Sequence, residues 1–334
     1  MVRRALPILV VLLLTAGLVV LLVLRAGRHQ SGSPGLSEID ALAVDPLHPR
    51  TVYATDTWDP VYKSTDGGAS WKRLGPSKGG GVFGGVVLDP GRPKTVYAGT
   101  QGGVFKSIDG GASWMRSGLK ETLTALALAP DGRVLYAGAA CFSYLPCGPG
   151  VFRSTDAGAS WVPSGLDGQD VVALALDPRR PTTIYAATDE PSFKSTDGGA
   201  SWQLLDGLPS GVNTLAVDPR HPTVVYAGTA AGVFKSVDGG VVWHDLGLHV
   251  VPTRPTQFAS GPESNSGVDD FAFGPKTVYS ATDSGVFGST DGGKTWRVVG
   301  AEGSIVPAVA VSASGRVLYA GTGTGGVYRF RLGG

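Results

Sequence analysis

Short apolar runs, separated by turns bearing Gly, Pro and Asp, recur along the chain from Ile39 to Arg331. The first kind of run is rich in Ala, Leu and Val and closes on Asp-Pro or a similar turn, as at 41–46, 86–90, 124–130, 172–178, 214–219 and 271–275. The second is Thr-Val-Tyr-Ala-Gly-Thr or a variant, at 51–55, 95–100, 134–139, 183–188, 224–229 and 277–282. The third is Gly-Val-Phe-Lys-Ser or a variant, leading into an Asp-Gly turn, at 60–68, 103–111, 150–158, 191–199, 232–240 and 285–293. A fourth run follows a Trp. Each has strand length and β-forming residues, and no helical period is needed to account for any of them. One unit is therefore an antiparallel meander of four strands, A to D. Its Tyr falls at 53, 97, 136, 185, 226, 279 and 319, a spacing of about 40 to 50 residues that is the signature of a propeller blade.

The pattern predicts an all-β, seven-bladed β-propeller of four-stranded antiparallel blades. The blades fall at about 38–75, 82–118, 122–165, 170–206, 211–247, 268–299 and 304–332. The seventh unit supplies strands A, B and C only. Residues 30–37 make a poor strand, which points to a three-stranded last blade whose edge Arg329 and Arg331 protect.

Between strands C and D stands Ser-x-Asp-x-Gly-x-Ser/Thr-Trp, at 64–71, 107–114, 154–161, 195–202, 236–243 and 289–296. Val242 replaces the Ser/Thr in the fifth copy. The conserved pairs are Asp66 and Trp71, Asp109 and Trp114, Asp156 and Trp161, Asp197 and Trp202, Asp238 and Trp243, and Asp291 and Trp296. An Asp there can accept from backbone N–H groups two residues on, Gly tolerates positive φ, and the hydroxyl adds a further bond. The Trp covers the base of the hairpin. These are structural aspartates, one turn per blade, rather than six metal or acid sites.

The motifs resemble the Asp-box (BNR) repeats of sialidase-type and sortilin-type propellers, and similar boxes occur in xyloglucan-degrading enzymes and in the photosystem II assembly factor of thylakoids. The resemblance covers nearly all of 39–331 and implies the fold. In those families the box is structural and lies on the face away from the active site, so the resemblance leaves function open. A sialidase would also require three arginines converging on the substrate carboxylate, a Tyr nucleophile with a Glu partner, and Arg-Ile-Pro. No Arg-Ile-Pro occurs here. Xyloglucan enzymes enclose a cleft between two propellers, and this chain holds one.

The composition changes the picture at the N-terminus. Of 334 residues only 16% are charged, with a formal net charge of +1, so nothing argues for nucleic acid. Residues 5–24 carry no charge and are long enough to cross a bilayer as a helix. Arg3 and Arg4 favour a cytoplasmic N-terminus at 1–4. The expectation is a transmembrane signal anchor at 5–24, a linker at 25–37 and an extracytoplasmic propeller at 38–332. A cleaved signal peptide, giving a secreted protein, is the alternative. Cys141 and Cys147, the only cysteines, flank a B–C loop insertion and suit a disulfide in an exported domain.

In the meander the A–B and C–D turns share one face, here called the bottom. It carries Arg50, Arg92, Lys94, Arg133, Arg179, Arg180, Arg220, Lys276 and Arg316 beside the A–B turns, a ring suited to anionic lipid or an acidic partner, or to balance by the box aspartates. The top face holds the loops in which the repeats differ, the usual carriers of function on a rigid scaffold. Its binding candidates are Trp58, Phe142, Tyr144, His249, Arg254, Asp269 and Asp270, with the insertion 244–267 the longest loop. Its carboxylates Asp56, Asp59, Asp189, Glu190 and Asp283 are the candidates for acid–base chemistry, although no motif pairs them. His244 and His249 do not have a metal-site spacing. No metal, cofactor or catalytic residue is assigned. The leading expectation is a non-catalytic scaffold for a protein or glycan at the cell surface; the alternative is a glycoside hydrolase using paired top-face carboxylates.

Overall fold

A computed structural model describes residues 29–31, 38–56, 59–76, 81, 84–140, 148–248 and 267–332. They form seven antiparallel sheets of four strands each. Strands A are Ala41–Val44, Val86–Leu88, Leu123–Leu128, Val171–Leu176, Val212–Val217, Val268–Phe273 and Ala308–Val311. Each packs against the strand A of the next sheet, and the seventh returns to the first. The result is a closed ring with strands A around the centre.

Strands B explain why the pattern is so apolar. In blades 1 to 6 all five residues of strand B are buried, from Val52–Asp56 to Val278–Thr282. A sheet covered on both faces by neighbouring blades reads as a continuous apolar run rather than an alternating one. Strands D are the outer edge and are short, such as Met115–Arg116 and Gln203–Leu204, with both residues exposed.

The seventh unit contributes three strands, as the sequence suggests: Ala308–Val311, Val317–Gly321 and Val327–Arg331. The fourth place in its sheet is taken by His29–Ser31, paired antiparallel to the C-terminal strand with His29 opposite Arg329 and Ser31 opposite Val327. Two bonds complete the junction with blade 1: Ile39 N–H donates to the Thr322 carbonyl at 3.2 Å, and the Tyr319 hydroxyl donates to the Pro49 carbonyl at 2.9 Å.

The Asp-bearing turns use more bonds than an Asx-turn alone. In blade 1 the Ser64 hydroxyl donates to Asp66 Oδ1 (2.8 Å) and accepts from Gly68 N–H (2.8 Å). Ser70 then gives Asp66 both its N–H (2.9 Å) and its hydroxyl (2.6 Å). The carboxylate thus reaches four residues on, not two. Gly67 and Gly68 both have positive φ, at 77° and 89°, which glycine adopts without a Cβ penalty. These bonds, the Ser70 hydroxyl first, hold the Asp66 carboxyl down at about 2. Blade 5 keeps the turn without the second hydroxyl: Asp238 Oδ1 accepts the Ser236 hydroxyl at 2.6 Å and the N–H groups of Val241 and Val242, each at 3.0 Å.

The Trp does more than cover its own hairpin. Trp161 donates its indole N–H to the Ser117 carbonyl and Trp202 to the Ser164 carbonyl, in each case in the preceding blade. Trp114 packs against an apolar cluster shared by blades 1 and 2, as does Leu74 of blade 1. A second inter-blade link was not visible in the repeats. The strand-B Tyr and strand-C Lys of one blade donate to one turn carbonyl of the next: Tyr53 and Lys63 to Gly110, Tyr185 and Lys194 to Gly239, Tyr226 and Lys235 to Gly292. Each Lys also lies over its Tyr ring, at 5.0 to 5.4 Å.

Candidate functional site

The meander orders the two faces. The turn N–H of Gly67 donates to Arg50 O, that of Gly110 to Lys94 O, and that of Ala157 to Arg133 O. The C–D and A–B turns therefore lie side by side on the bottom, and the B–C loops and strand-A entrances form the top.

At the top of the central channel, strands A of blades 3 to 6 share an irregularity. Their register shifts between Leu123 and Ala125, Val171 and Ala173, Val212 and Thr214, and Val268 and Asp270. The bulged residues are Thr124, Val172, Asn213 and Asp269. A bulge re-aims a side chain out of the ladder. Thr124 donates its hydroxyl to the Val171 carbonyl, and Asn213 donates its amide to the Val268 carbonyl at 3.4 Å, each reaching the next blade. In blade 6 the same position is a carboxyl group.

Asp269 sits there half-buried with two more carboxyls near it. Burial, then the charges of Asp283 and Asp270, push Asp269 up to about 8. Burial pushes Asp270 up to about 7, opposed by two bonds its carboxyl accepts: Phe271 N–H at 2.8 Å and Val309 N–H of blade 7 at 2.9 Å. Asp283, on the B–C loop of the same blade, is also raised, chiefly by burial. Three neighbouring carboxyls, all raised above the ordinary carboxylate range chiefly by burial, are the chemical feature of this face. Repeat alignment carries its signal: Asp270 stands in strand A where blades 3 and 4 have Ala125 and Ala173.

The other candidates are placed as follows. Asp56 ends strand B of blade 1, fully buried, with Asp59 opposite it in the ladder. Glu38 N–H approaches Asp56 Oδ2 at 3.4 Å, and burial followed by the Asp56 charge raises the Glu38 carboxyl. Glu38 was not legible as a candidate. Asp189 and Glu190 are exposed on the B–C loop of blade 4. The structure thus brings Asp269, Asp270 and Asp283 together on blade 6, and Asp56 with Glu38 on blade 1. His244, expected at the start of the long insertion, instead lies in strand D of blade 5, His244–Asp245. Trp58, Phe142, Tyr144, His249, Arg254, the Cys141–Cys147 pair and the span 5–24 lie outside the described residues. Among the described residues no cluster of three or more His, Cys, Asp or Glu could hold a metal ion.

Clefts open on the bottom face. One of about 530 Å³ is lined by Asp89, Arg92, Asp131, Arg133 and Asp156 between blades 2 and 3. One of about 240 Å³ lies between blades 5 and 6, beside Arg220, Lys235 and Lys276. Their acidic groups are engaged: Arg92 pairs with Asp89 at 2.8 Å and Arg220 with Asp218 at 3.0 Å.

Neither a protein-family model nor a curated protein matches the sequence. Solved structures do match the fold. The GH74 xyloglucanase from Xanthomonas campestris is similar over 92% of this chain and 53% of its own, with a TM-score of 0.69 and 20% identity. YCF48 bound to D1 peptide is similar over 92% of this chain and 97% of its own, with a TM-score of 0.68 and 15% identity. YCF48 from Cyanidioschyzon merolae gives 0.66 and 16% over 92% and 99%. This chain spans about half the length of the xyloglucanase. At these identities the likeness is one of fold, a seven-bladed propeller shared by a hydrolase and by a protein solved with a peptide.

Proposed function

We propose that the chain is a non-catalytic binding and assembly scaffold for a protein or glycan, acting outside the cytoplasm through the B–C and D–A loops of its top face. In this reading residues 5–24 hold it to the cell membrane as a single-pass protein; removal of that segment would leave the same disc secreted. The supporting observation is the arrangement of the carboxyls. Glycoside hydrolysis needs two carboxyl groups about 5 to 10 Å apart across the scissile bond, both open to substrate. Here Asp56 is fully buried, Asp270 is engaged by two backbone N–H groups, and Asp269 is the next residue on the same strand. Asp56 and Asp270 are thus tied into the wall of the ring, and the exposed carboxyls Asp189 and Glu190 are adjacent residues of one loop rather than a facing pair.

One observation favours the hydrolase reading. An Asp269 that keeps its proton at neutral pH beside an Asp283 carboxyl has the acidity of a general acid. Retention of the full chain in membranes after carbonate washing, together with cleavage of its propeller by protease added outside, tests location. Binding of the detergent-solubilised chain to a glycan array tests the partner class. A chain released by carbonate or shielded from external protease contradicts the anchored, exported scaffold.

A further inference from the structure

The strand His29–Ser31 fixes where the N-terminal segment meets the disc. Strand C of blade 7, Val327–Arg331, runs from top to bottom, and its far end is at the bottom because Leu332 N–H donates to the carbonyl of Arg316, a residue of the A–B turn. His29–Ser31 is antiparallel to it, with His29 opposite Arg329 and Ser31 opposite Val327. From the level of Arg329, midway along that strand, the chain therefore climbs toward the top, so the residues before His29 lie on its bottom side. Five Cα steps separate Leu24, the end of the apolar span, from His29, and they reach at most about 18 Å.

The bottom face carries both signs of charge, but its cations and anions are held differently. Asp45, Asp89, Asp177 and Asp218, beside the A–B turns, are buried, and the last three pair with Arg92, Arg180 and Arg220; Asp131 of blade 3 is exposed and accepts the N–H groups of Arg133 and Val134. The six aspartates of the C–D turns stay charged, and each accepts hydrogen bonds from its own turn. Lys94, Arg133, Arg179, Lys276 and Arg316 are exposed, and none forms an ion pair among the described residues. Arg179 instead donates to the carbonyl of Arg220 at 2.8 Å, which ties adjacent turns into one surface while leaving its charge outward. Leu47, in the blade 1 turn that Tyr319 of blade 7 anchors through Pro49, is 64% exposed. An apolar side chain and spread cations beside the tether suit the interface of an anionic bilayer.

We infer that the bottom face of the propeller docks on the anionic lipid surface of the membrane that holds the chain, so that the top face points away from it. This rests on the anchored reading above, and the occupant is the bilayer itself. The test is hydrogen exchange by mass spectrometry on the full chain in nanodiscs of phosphatidylcholine alone or with phosphatidylglycerol added. The expected result is exchange about tenfold slower over the A–B turns around 45–51, 89–95 and 275–278 in the anionic discs, with the top segments 188–192 and 282–285 unchanged. The variant Lys94→Glu/Arg133→Glu/Lys276→Glu/Arg316→Glu should lose that protection yet remain in the disc. Equal exchange in both lipids, or protection of the top segments, with the chain still inserted, overturns the docking and leaves the cations to an acidic protein. A chain that does not insert into either disc overturns the anchor and the docking with it.

Discussion

The Tyr226 hydroxyl and the Lys235 ammonium of blade 5 donate to a single acceptor, the Gly292 carbonyl of blade 6, at 3.3 and 2.7 Å. The acceptor belongs to the Asp291 turn, so this box, like those of blades 2, 3 and 5, is held from two sides: by its own turn residues, and by the Tyr and Lys of the blade before it. Tyr226→Phe should cost about 1 kcal/mol, the ordinary value of a buried hydroxyl bond, measured by reversible denaturant unfolding. In blade 3, Arg153 takes the Lys position and lies 5.8 Å over the Tyr136 ring, while the Tyr136 hydroxyl has no partner among the described residues. Arg153→Lys should raise Tm by restoring the pattern of the other blades. An unchanged or lower Tm would show that the staple is incidental.

Blade 5 offers the complementary test for the turn itself. Val242 stands where Ser70, Ser113, Ser160, Ser201 and Thr295 each donate a hydroxyl to the box carboxylate. Val242→Thr should add that bond to Asp238, raise Tm, and lower the Asp238 pKa further, as read by carboxyl NMR titration. The bond is exposed, so the gain is small and the pKa is the sharper readout.

The blade 6 carboxyls make stability depend on pH with a definite sign. Asp269 and Asp270 bind protons more tightly folded, at about 8 and about 7, than an unfolded Asp does near 3.8. Where the folded state holds the extra protons, stability falls as pH rises. Tm should therefore decline from about pH 4 to about pH 8 and level off above. The low-pKa box aspartates act oppositely, and their contribution is lost below about pH 4. Calorimetry across this range checks both limbs. Asp270→Asn should flatten the first one.

Gly103 marks a position where the backbone leaves no choice. Its φ is 109°, and a Cβ there would stand 1.9 Å from the Leu119 carbonyl oxygen. Gly103→Ala should cost more than about 3 kcal/mol, the combined penalty of a disallowed backbone and a main-chain clash. Gly168→Ala, at a positive φ with nothing near its Cβ, should cost less.

Much of this was legible because each blade repeats its own signal. The Tyr spacing located seven sheets, and Ser-x-Asp-x-Gly located six turns. What the repeats could not show is pairing across distance. His29–Ser31 joins blade 7 through a backbone ladder, and His-Gln-Ser is not a β-forming run, so the sequence carries no strand signature there. Lys235 reads as an exposed strand residue until Gly292, 57 residues on, supplies its acceptor. Asp269 and Asp270 read as acidic loop residues, but their place in strand A, with a bulge between Val268 and Asp270, buries them and so raises both carboxyls.

A scaffold and a hydrolase differ in whether the top face performs chemistry. The most direct measurement is release of reducing ends from a panel of polysaccharides, xyloglucan included, by the full chain in detergent from pH 5 to pH 8, alongside Asp269→Asn and Asp283→Asn. A scaffold predicts no release above background for any of the three proteins. Release by the parent chain that is abolished in both variants would contradict it.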